Sequence, residues 1–248
     1  MLSRVADNLY WMSRYLERAE HTARLVDVHL NLSLDQSRTS AADQRWERLL
    51  DGLHVPVPEG GARDEYTATH LLAFDTENDN SIVSCIANAR ENARQVREKI
   101  SSEMWMQLNR LYLDVRSTHL DNIWDEQPHE FFREVKDGAH LFQGITDSTM
   151  AHDEGWDFIQ LGRFIERAGG VATLLDRHLS AYPLWAGDQN LAMDDYFEWL
   201  GMLKCCTAFE AYCKVYNADL RPNRMVEFLL YSEDFPHSVR FCIEQVQI

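Results

Sequence analysis

The stretch RYLERAE, from Arg14 to Glu20, returns later in the chain as RFIERAG, from Arg163 to Gly169. Each copy places two arginines and a glutamate inside an otherwise apolar segment. Helices that face a core normally exclude such charges, because burying an uncompensated charge costs several kcal/mol. The repeated heptapeptide therefore predicts two related helices whose charged groups have partners.

The similarity continues beyond the heptapeptide when Arg14 is aligned with Arg163. The matching positions are Glu17 with Glu166, Arg18 with Arg167, Ala19 with Ala168, Ala23 with Ala172, Leu25 with Leu174, Asp27 with Asp176, His29 with His178 and Leu30 with Leu179. We interpret this agreement as an internal duplication, with repeat helices over 4–32 and 154–181 that pack about a pseudo-twofold axis.

Apolar residues recur at alternating intervals of four and three residues, which is the pattern of an amphipathic helix. In the first segment these are Val5, Leu9, Met12, Leu16, Ala19, Ala23, Val26 and Leu30. No segment shows the strict alternation of a half-buried strand. With 45% apolar residues, the chain has enough to bury a core. The sequence predicts one all-α domain over 1–248, a bundle of roughly eight to ten helices with two related halves.

Capping residues, glycines and prolines predict where the other elements lie. Further helices are expected over 41–53, from Ser81 with Asp79 or Asn80 as its cap, from Ser101 or Ser102, from Pro128 after Asp125, over 193–215, over 222–231 and from Pro236 onward. Loops are expected over 54–65 and 182–188. The last helix lacks a stop signal, so we expect either fraying or a further C-terminal part.

Charge and composition narrow the functional classes. A net charge of −16 argues against nucleic-acid and anionic-membrane partners, because both would be repelled. No signal peptide and no apolar segment of spanning length is present, so a cytoplasmic location is expected. The five cysteines form no CxxC motif and fit a reducing compartment as small buried side chains.

A polar stripe accompanies the apolar seam of the first repeat helix. It contains Tyr10, Arg14, Glu17, His21 and Arg24, with Arg18 further round the helix. The second copy replaces Tyr10, His21 and Arg24 with Ile159, Gly170 and Thr173, so only the Arg/Glu centre is common to both. Spacing of three residues predicts the pairs Arg14–Glu17 and Arg163–Glu166.

The two centres together form the candidate site of this chain. Its residues are Arg14, Glu17, Arg18, His21, Arg24, Arg163, Glu166 and Arg167, and Arg90 and Arg94 could extend it from a third helix. Arginine binds carboxylates and phosphates bidentately, so such a cluster suits an anionic small molecule or a peptide end. The alternatives are a structural ion-pair network and, for Arg90 and Arg94, a solvated charged face.

The enzymatic alternative uses Glu17 or Glu166 as an acid or base beside an arginine-bound anion, although paired arginines lower the pKa of a carboxyl group. Glu17 and His21 have metal-ligand spacing, but Gly170 replaces the histidine in the second copy. No phosphate-binding glycine loop or nucleophile motif occurs. We therefore expect no metal and no cofactor.

Three blocks carry a resemblance to a known family. They are NLYWMSRYLERAEHTARL (8–25), ANARENARQVREKISSEMWMQLN (87–109) and GWDFIQLGRFIERAGGVATLL (155–175). In this order they resemble the bacterial alpha-E domain family, over essentially the whole chain. The resemblance implies an all-helical cytoplasmic protein without an assigned activity, whose relatives extend beyond this end point.

The resemblance also implies partners and a setting. Members of the family are encoded alongside circularly permuted ATP-grasp ligase-like proteins and transglutaminase-like proteins. The implied role is that of an accessory, partner-binding or substrate-binding component in peptide or amide-bond synthesis or modification. An enzyme in its own right and a purely structural, homo-oligomerising bundle are the alternatives.

Overall fold

The computed structural model describes residues 1–35, 40–57, 64–124, 127–182 and 193–247. Within these ranges the protein is all-α, as predicted, with no strand and with no helix long and apolar enough to cross a membrane. The helices are α1 (Ser3–Asp35), α2 (Ser40–Gly52), α3 (Glu65–Thr69), a π-helical turn (His70–Phe74), α4 (Ile82–Gln95), α5 (Ser102–Ser117), α6 (Leu120–Ile123), α7 (Pro128–Thr149), α8 (Glu154–Ala181), α9 (Met193–Cys205), α10 (Phe209–Tyr216), α11 (Pro222–Tyr231) and α12 (Val239–Val246). The described helices outnumber the eight to ten expected because short ones such as α3 and α6 have no periodicity to read.

Serine or aspartate side chains cap the starts of five of the described helices. Ser101 accepts a hydrogen bond from the Met104 amide at the start of α5, and Asp153 accepts one from Gly155 at the start of α8. The cap of α4 is Ser81, so the prediction of Asp79 or Asn80 is wrong. Asn80 instead accepts a hydrogen bond from Arg18. Asp125 and most of the 182–188 segment lie outside the described residues.

The single helix predicted over 193–215 is wrong. The chain turns between Cys205 and Phe209, where Thr207 has a φ of 53°. That left-handed conformation ends α9, and it lets Cys206 and Ala208 both pack into the core. Threonine rarely adopts this conformation, so no residue type marked the turn and the apolar pattern predicted one continuous helix.

The core has two adjoining parts. The larger is built around α1, α4, α5 and α7, and the smaller lies between the C-terminal half of α8 and helices α9 to α11. Helix α8 reaches both parts, since Ile159 belongs to the first and Val171 and Leu175 belong to the second. The first repeat helix is thus central to one core and the second repeat helix joins both.

Helices α1 and α8 run side by side in the same direction. At one end the amino terminus of Met1 lies 2.7 Å from Glu154. Further along, a side chain at Gly162 would collide with the carbonyl oxygen of Tyr10, and one at Gly170 would press against His21. Since Ser13 also lies against Gly162, two pairs of aligned positions meet across this contact. A glycine at 162 is what permits the close approach.

The correspondence between the halves extends to the helices that follow α1 and α8. The rings of His29 and Trp46 lie 5.6 Å apart, and those of His178 and Trp199 lie 4.3 Å apart. Helices α2 and α9 thus bring a tryptophan to the aligned histidine of the preceding helix. These contacts are what a duplicated helix pair would give, and the duplication stays a prediction. After α9 the two halves differ in the number and length of their helices.

Candidate functional site

Glu17 is held in a buried ion pair. Its side chain is 3% exposed and receives two hydrogen bonds from Arg167, of 2.6 and 3.1 Å, and one of 3.0 Å from Gln143. Arg167 also donates to the carbonyl oxygen of Pro236 at 3.3 Å, which ties the segment before α12 to α8. Glu17 pairs across helices, so the predicted Arg14–Glu17 pair is wrong.

Glu166 is the second carboxylate of the repeat and receives two arginines. Arg14 Nε lies 2.6 Å from Glu166, and Arg18 donates to both of its carboxylate oxygens at 2.6 and 3.0 Å. These three side chains are 13% to 24% exposed. Arg18 also reaches Asn80, and Arg14 also donates to the Tyr10 hydroxyl at 2.9 Å. The predicted Arg163–Glu166 pair is not formed.

The cross-helix pairs follow the alignment of the repeats. Arg18 binds Glu166 and the aligned Arg167 binds Glu17, so each helix supplies an arginine to the glutamate of the other. The symmetry fails at Arg163, which corresponds to Arg14 but, among the described residues, donates one weak hydrogen bond of 3.5 Å to Gln160 and lies over the ring of Phe164. Burial, with the charge of Arg167 adding to it, lowers the pKa of Arg163. One centre is thus closed around Glu17, and the other presents an excess of arginine around Glu166.

An open groove of about 460 Å³ begins at Glu166, Arg14 and Arg18. It follows α1 and α8 and is closed at its far end by α2, the residues after α2 and α9. Besides the three residues just named, its main lining residues are His21, Leu25, His29, Arg45, Arg48, Leu49, His54, Leu72, Asn80, Gly170, Leu174, Arg177, His178, Tyr182 and Glu198. We call this cavity the arginine groove. Cavities that hold small ligands have this size.

A second arginine pair stands at the far end of the groove. Arg45 lies 2.7 Å from Glu198, and Arg48 lies 3.9 Å from the same carboxylate. The Arg48 guanidinium also covers the ring of Tyr182, 5.3 Å from its centre. This end therefore repeats the arrangement at Glu166, with two guanidinium groups near one carboxylate.

The groove is positively charged in a protein whose overall charge is negative. Among the residues that the structure describes, five arginines and two glutamates line it, which leaves an excess of three positive charges when the histidines are neutral. Burial lowers the pKa of His29 and of His178 to about 4, and burial also lowers the pKa of His21. These three imidazoles are therefore neutral near pH 7, so the charge around them is set by the arginines and glutamates of the groove.

The other predicted site residues lie elsewhere. Arg24 forms an ion pair with buried Glu20 within its own helix, and it does not line the groove. Arg90 donates to Asn109 and lies over the rings of Trp105 and Tyr112. Arg94 pairs with Glu91 on an exposed face. Extension of the cluster by Arg90 and Arg94 is therefore wrong, and these side chains serve the packing and the charged surface of α4 and α5.

The far end of the groove was missed at the sequence level. Arg45, Arg48 and Glu198 belong to helices that had no assigned role, and only His29 and His178 had been aligned. A signal did exist, since Trp46 and Trp199 each follow a charged residue of the groove and sit before a leucine-rich turn.

The side-chain geometry gives little support to a nucleophilic cysteine or to a metal site. Four of the five cysteines are buried, and burial raises the pKa of Cys85 and Cys206 to about 12. Such thiols are poor nucleophiles at neutral pH. Over the ranges that the structure describes, no three histidine, cysteine, aspartate or glutamate side chains gather as metal ligands.

The whole chain matches a known protein family. A family model named Alpha-E, described as a predicted alpha-helical domain with a conserved ER motif, matches residues 1–248. An uncharacterised protein of Mycobacterium bovis and one of Mycobacterium tuberculosis are each 23% identical over 269 aligned residues. The alignments cover 98% of this chain and 29% of each relative, so the chain spans less than a third of their length. No solved structure matches the chain.

The Glu-Arg dipeptide named in that description occurs three times here, at 17–18, 47–48 and 166–167. One member of each pair lines the arginine groove and the other does not: Arg18, Arg48 and Glu166 line it. Adjacent residues of a helix point about 100° apart, so one dipeptide can serve two environments. At 17–18 and 166–167, these are the closed pair at Glu17 and the open arginines at Glu166.

Proposed function

We propose, from the premise that this chain belongs to the Alpha-E family, that it is a binding component that takes an anionic ligand into the arginine groove. The observation that carries the proposal is the excess of arginine over carboxylate in a cavity of a protein with a charge of −16. The positive charges of the groove repel one another, although the chain as a whole is negative, and a bound anion would reduce this repulsion. Guanidinium groups bind carboxylate and phosphate bidentately.

The groove provides the fixed donors that such binding needs. Arg14 and Arg18 are held by Glu166, Tyr10 and Asn80, so their guanidinium groups lose little further freedom when a ligand binds. Glu166 accepts hydrogen bonds from both Arg14 and Arg18, and each guanidinium group has five N–H donors, so donors remain for an incoming anion. This arrangement favours binding over a purely structural network, which would pair its charges one to one.

The geometry disfavours acid–base catalysis by these glutamates. Burial raises the pKa of Glu166, but the hydrogen bond and charge of Arg18, together with Arg14, outweigh it and lower the pKa overall. A carboxylate that stays ionised at neutral pH is a weak general acid. Glu17 is enclosed by Arg167 and Gln143 and does not line the groove. Both glutamates thus serve to position arginines.

Calorimetric titration with inorganic pyrophosphate and with glutarate at low ionic strength tests the proposal. We expect saturable binding, weakened at least about tenfold by Arg18→Gln, because each charged hydrogen bond contributes more than about 1.4 kcal/mol. Arg94→Gln is the matched control, since it removes the same charge from an exposed face. Equal binding by both variants, or no binding to the wild-type protein, would refute the anion site.

The proposed partner is an ATP-grasp ligase-like or a transglutaminase-like protein, in a system that forms or modifies peptide or amide bonds. The resemblance of the three sequence blocks supports this setting, and the groove is suited to the carboxylates of such a substrate. Co-expression with each candidate partner, followed by size-exclusion chromatography, tests it. A complex that survives at physiological salt supports the partnership, and separate elution from both would refute it.

A further inference from the structure

We infer that the ligand of the arginine groove is an extended acidic peptide segment with two carboxylates four to five residues apart. This inference rests on the proposed anion-binding function and adds the class and the spacing of the ligand. It is drawn from the placement of two separate arginine pairs, at Glu166 and at Glu198, with a largely uncharged stretch between them.

The length of the groove follows from the helices that form its wall. On α1 the lining runs from Arg14 to His29, which at 1.5 Å per residue is about 22 Å. Arg18 and His29 mark the levels of the two arginine pairs, since His29 packs on Trp46 beside Arg45. The pairs are therefore about 16 Å apart along the helix axis. A single small anion cannot reach both.

An extended peptide has the repeat length that this distance requires. Its residues advance about 3.3 Å each, so four to five residues connect two carboxylates about 16 Å apart. One carboxylate would meet Arg14 and Arg18, and the other would meet Arg48, which lies beside the ion pair of Arg45 with Glu198. The excess of three positive charges in the groove is more than enough to balance the two negative charges of such a segment.

The wall between the pairs distinguishes a peptide from a phosphate chain. It is formed by Leu25, Leu49, Leu72 and Leu174, together with the small residue Gly170 and the neutral imidazole of His21. These groups can pack against aliphatic and peptide atoms. They offer little to a phosphate chain, whose charges repeat along its whole length and would be left unpaired there. The lining therefore favours a chain that is charged at both ends and neutral between them.

Arg177, on α8, also lines the groove and supports the same kind of ligand. Its side chain lies against Gly52, where a β-carbon would stand 3.3 Å from its Cγ atom, and its exposed head lines the far half of the groove. It can therefore cover a bound segment from the solvent side near the second carboxylate. A peptide with its acidic residues at the inferred spacing would place one of them within reach of this group and of Arg48.

Titration calorimetry with capped peptides tests the inference. The series contains two glutamates separated by zero to eight serine or glycine residues, one-glutamate peptides, and a control with both glutamates replaced by glutamine. We expect the tightest binding with three or four intervening residues, at least about tenfold tighter than for one-glutamate peptides, because the second contact becomes intramolecular. Tripolyphosphate is titrated in parallel.

Single variants test which arginine binds each end of the peptide. Arg18→Gln and Arg48→Gln should each reduce the best peptide to the affinity of a one-glutamate peptide, while Arg94→Gln leaves it unchanged, with the fold of each variant checked by circular dichroism. Binding of all acidic peptides without dependence on spacing would overturn this inference and leave the anion site standing. Tripolyphosphate binding more tightly than every peptide would also overturn it. Failure of every anion to bind would refute both the inference and the proposed function.

Discussion

Replacing Glu17 with glutamine should destabilise the protein far more than the same change at the aligned Glu166. The Glu17→Gln variant keeps the shape of the side chain but leaves the Arg167 guanidinium, whose side chain is 6% exposed, without its ion-pair partner. Breaking a buried pair in this way costs about 3–5 kcal/mol. At Glu166 the arginines are 23% and 24% exposed, so water compensates them and the loss should be about 1 kcal/mol.

Thermal and chemical denaturation, each followed by circular dichroism, measure both losses of stability. For a chain of this length, a loss of 3 kcal/mol or more lowers the melting temperature by about 6 °C or more. Glu91→Gln, on an exposed face, is the control and should leave the midpoint unchanged. The double variant Glu17→Gln/Arg167→Met should recover much of the loss, because replacing a whole buried pair with uncharged groups is often neutral.

The results that would refute this reasoning are specific. Equal losses at Glu17 and Glu166 would show that the two centres do not differ as their burial indicates. A double variant no more stable than Glu17→Gln would show that the loss does not come from the stranded charge of Arg167.

Two further predictions follow from the same helices. Gly162→Ala should destabilise the protein by several kcal/mol, because a β-carbon there meets the backbone of Tyr10. Gly169→Ala, which has open space around it, should be neutral or slightly stabilising. Thermal melting distinguishes the two variants, and equal effects would contradict the close approach of α1 and α8. Stability should also fall as the pH decreases from about 6.5 toward 4, because His29 and His178 stay neutral in the folded protein, with pKa values of about 4, while the unfolded chain takes up protons. The midpoint of urea unfolding between pH 7 and 5 measures this fall, and the His178→Asn variant should show a shallower one; an unchanged slope would contradict it.

Much of the fold could be predicted because the apolar periodicity of the long helices is strong. Helices α8 and α11 begin and end where the sequence indicates, each after a capping residue or at a proline. The break between α9 and α10 could not be predicted, because the left-handed conformation of Thr207 depends on the burial of its neighbours and not on a glycine or proline. Tertiary packing decided that turn.

The candidate site shows the same division. The two glutamates and their arginines could be found from the repeat alone, but their pairing across helices could not, because the spacing of Arg14 and Glu17 suits a contact within one helix equally well. Which centre is closed depends on Gln143 and Arg167 at Glu17, and on Arg163 having no paired carboxylate within the described part of the chain; both are consequences of packing. At the far end of the groove, the sequence signal is limited to the charged residues that precede Trp46 and Trp199, on helices that otherwise show an ordinary amphipathic pattern.

The central claim is that one repeated motif performs two tasks, with Glu17 and Arg167 holding the fold and Arg14 and Arg18 holding an anionic ligand. The most direct test is the affinity of Arg18→Gln and of Arg167→Gln for the same two-glutamate peptide, measured by calorimetry at a temperature where both variants are folded. We predict that Arg18→Gln loses at least about tenfold in affinity, while Arg167→Gln binds like the wild-type protein despite its lower stability. Wild-type affinity in Arg18→Gln, or an equal loss in both variants, would contradict the claim.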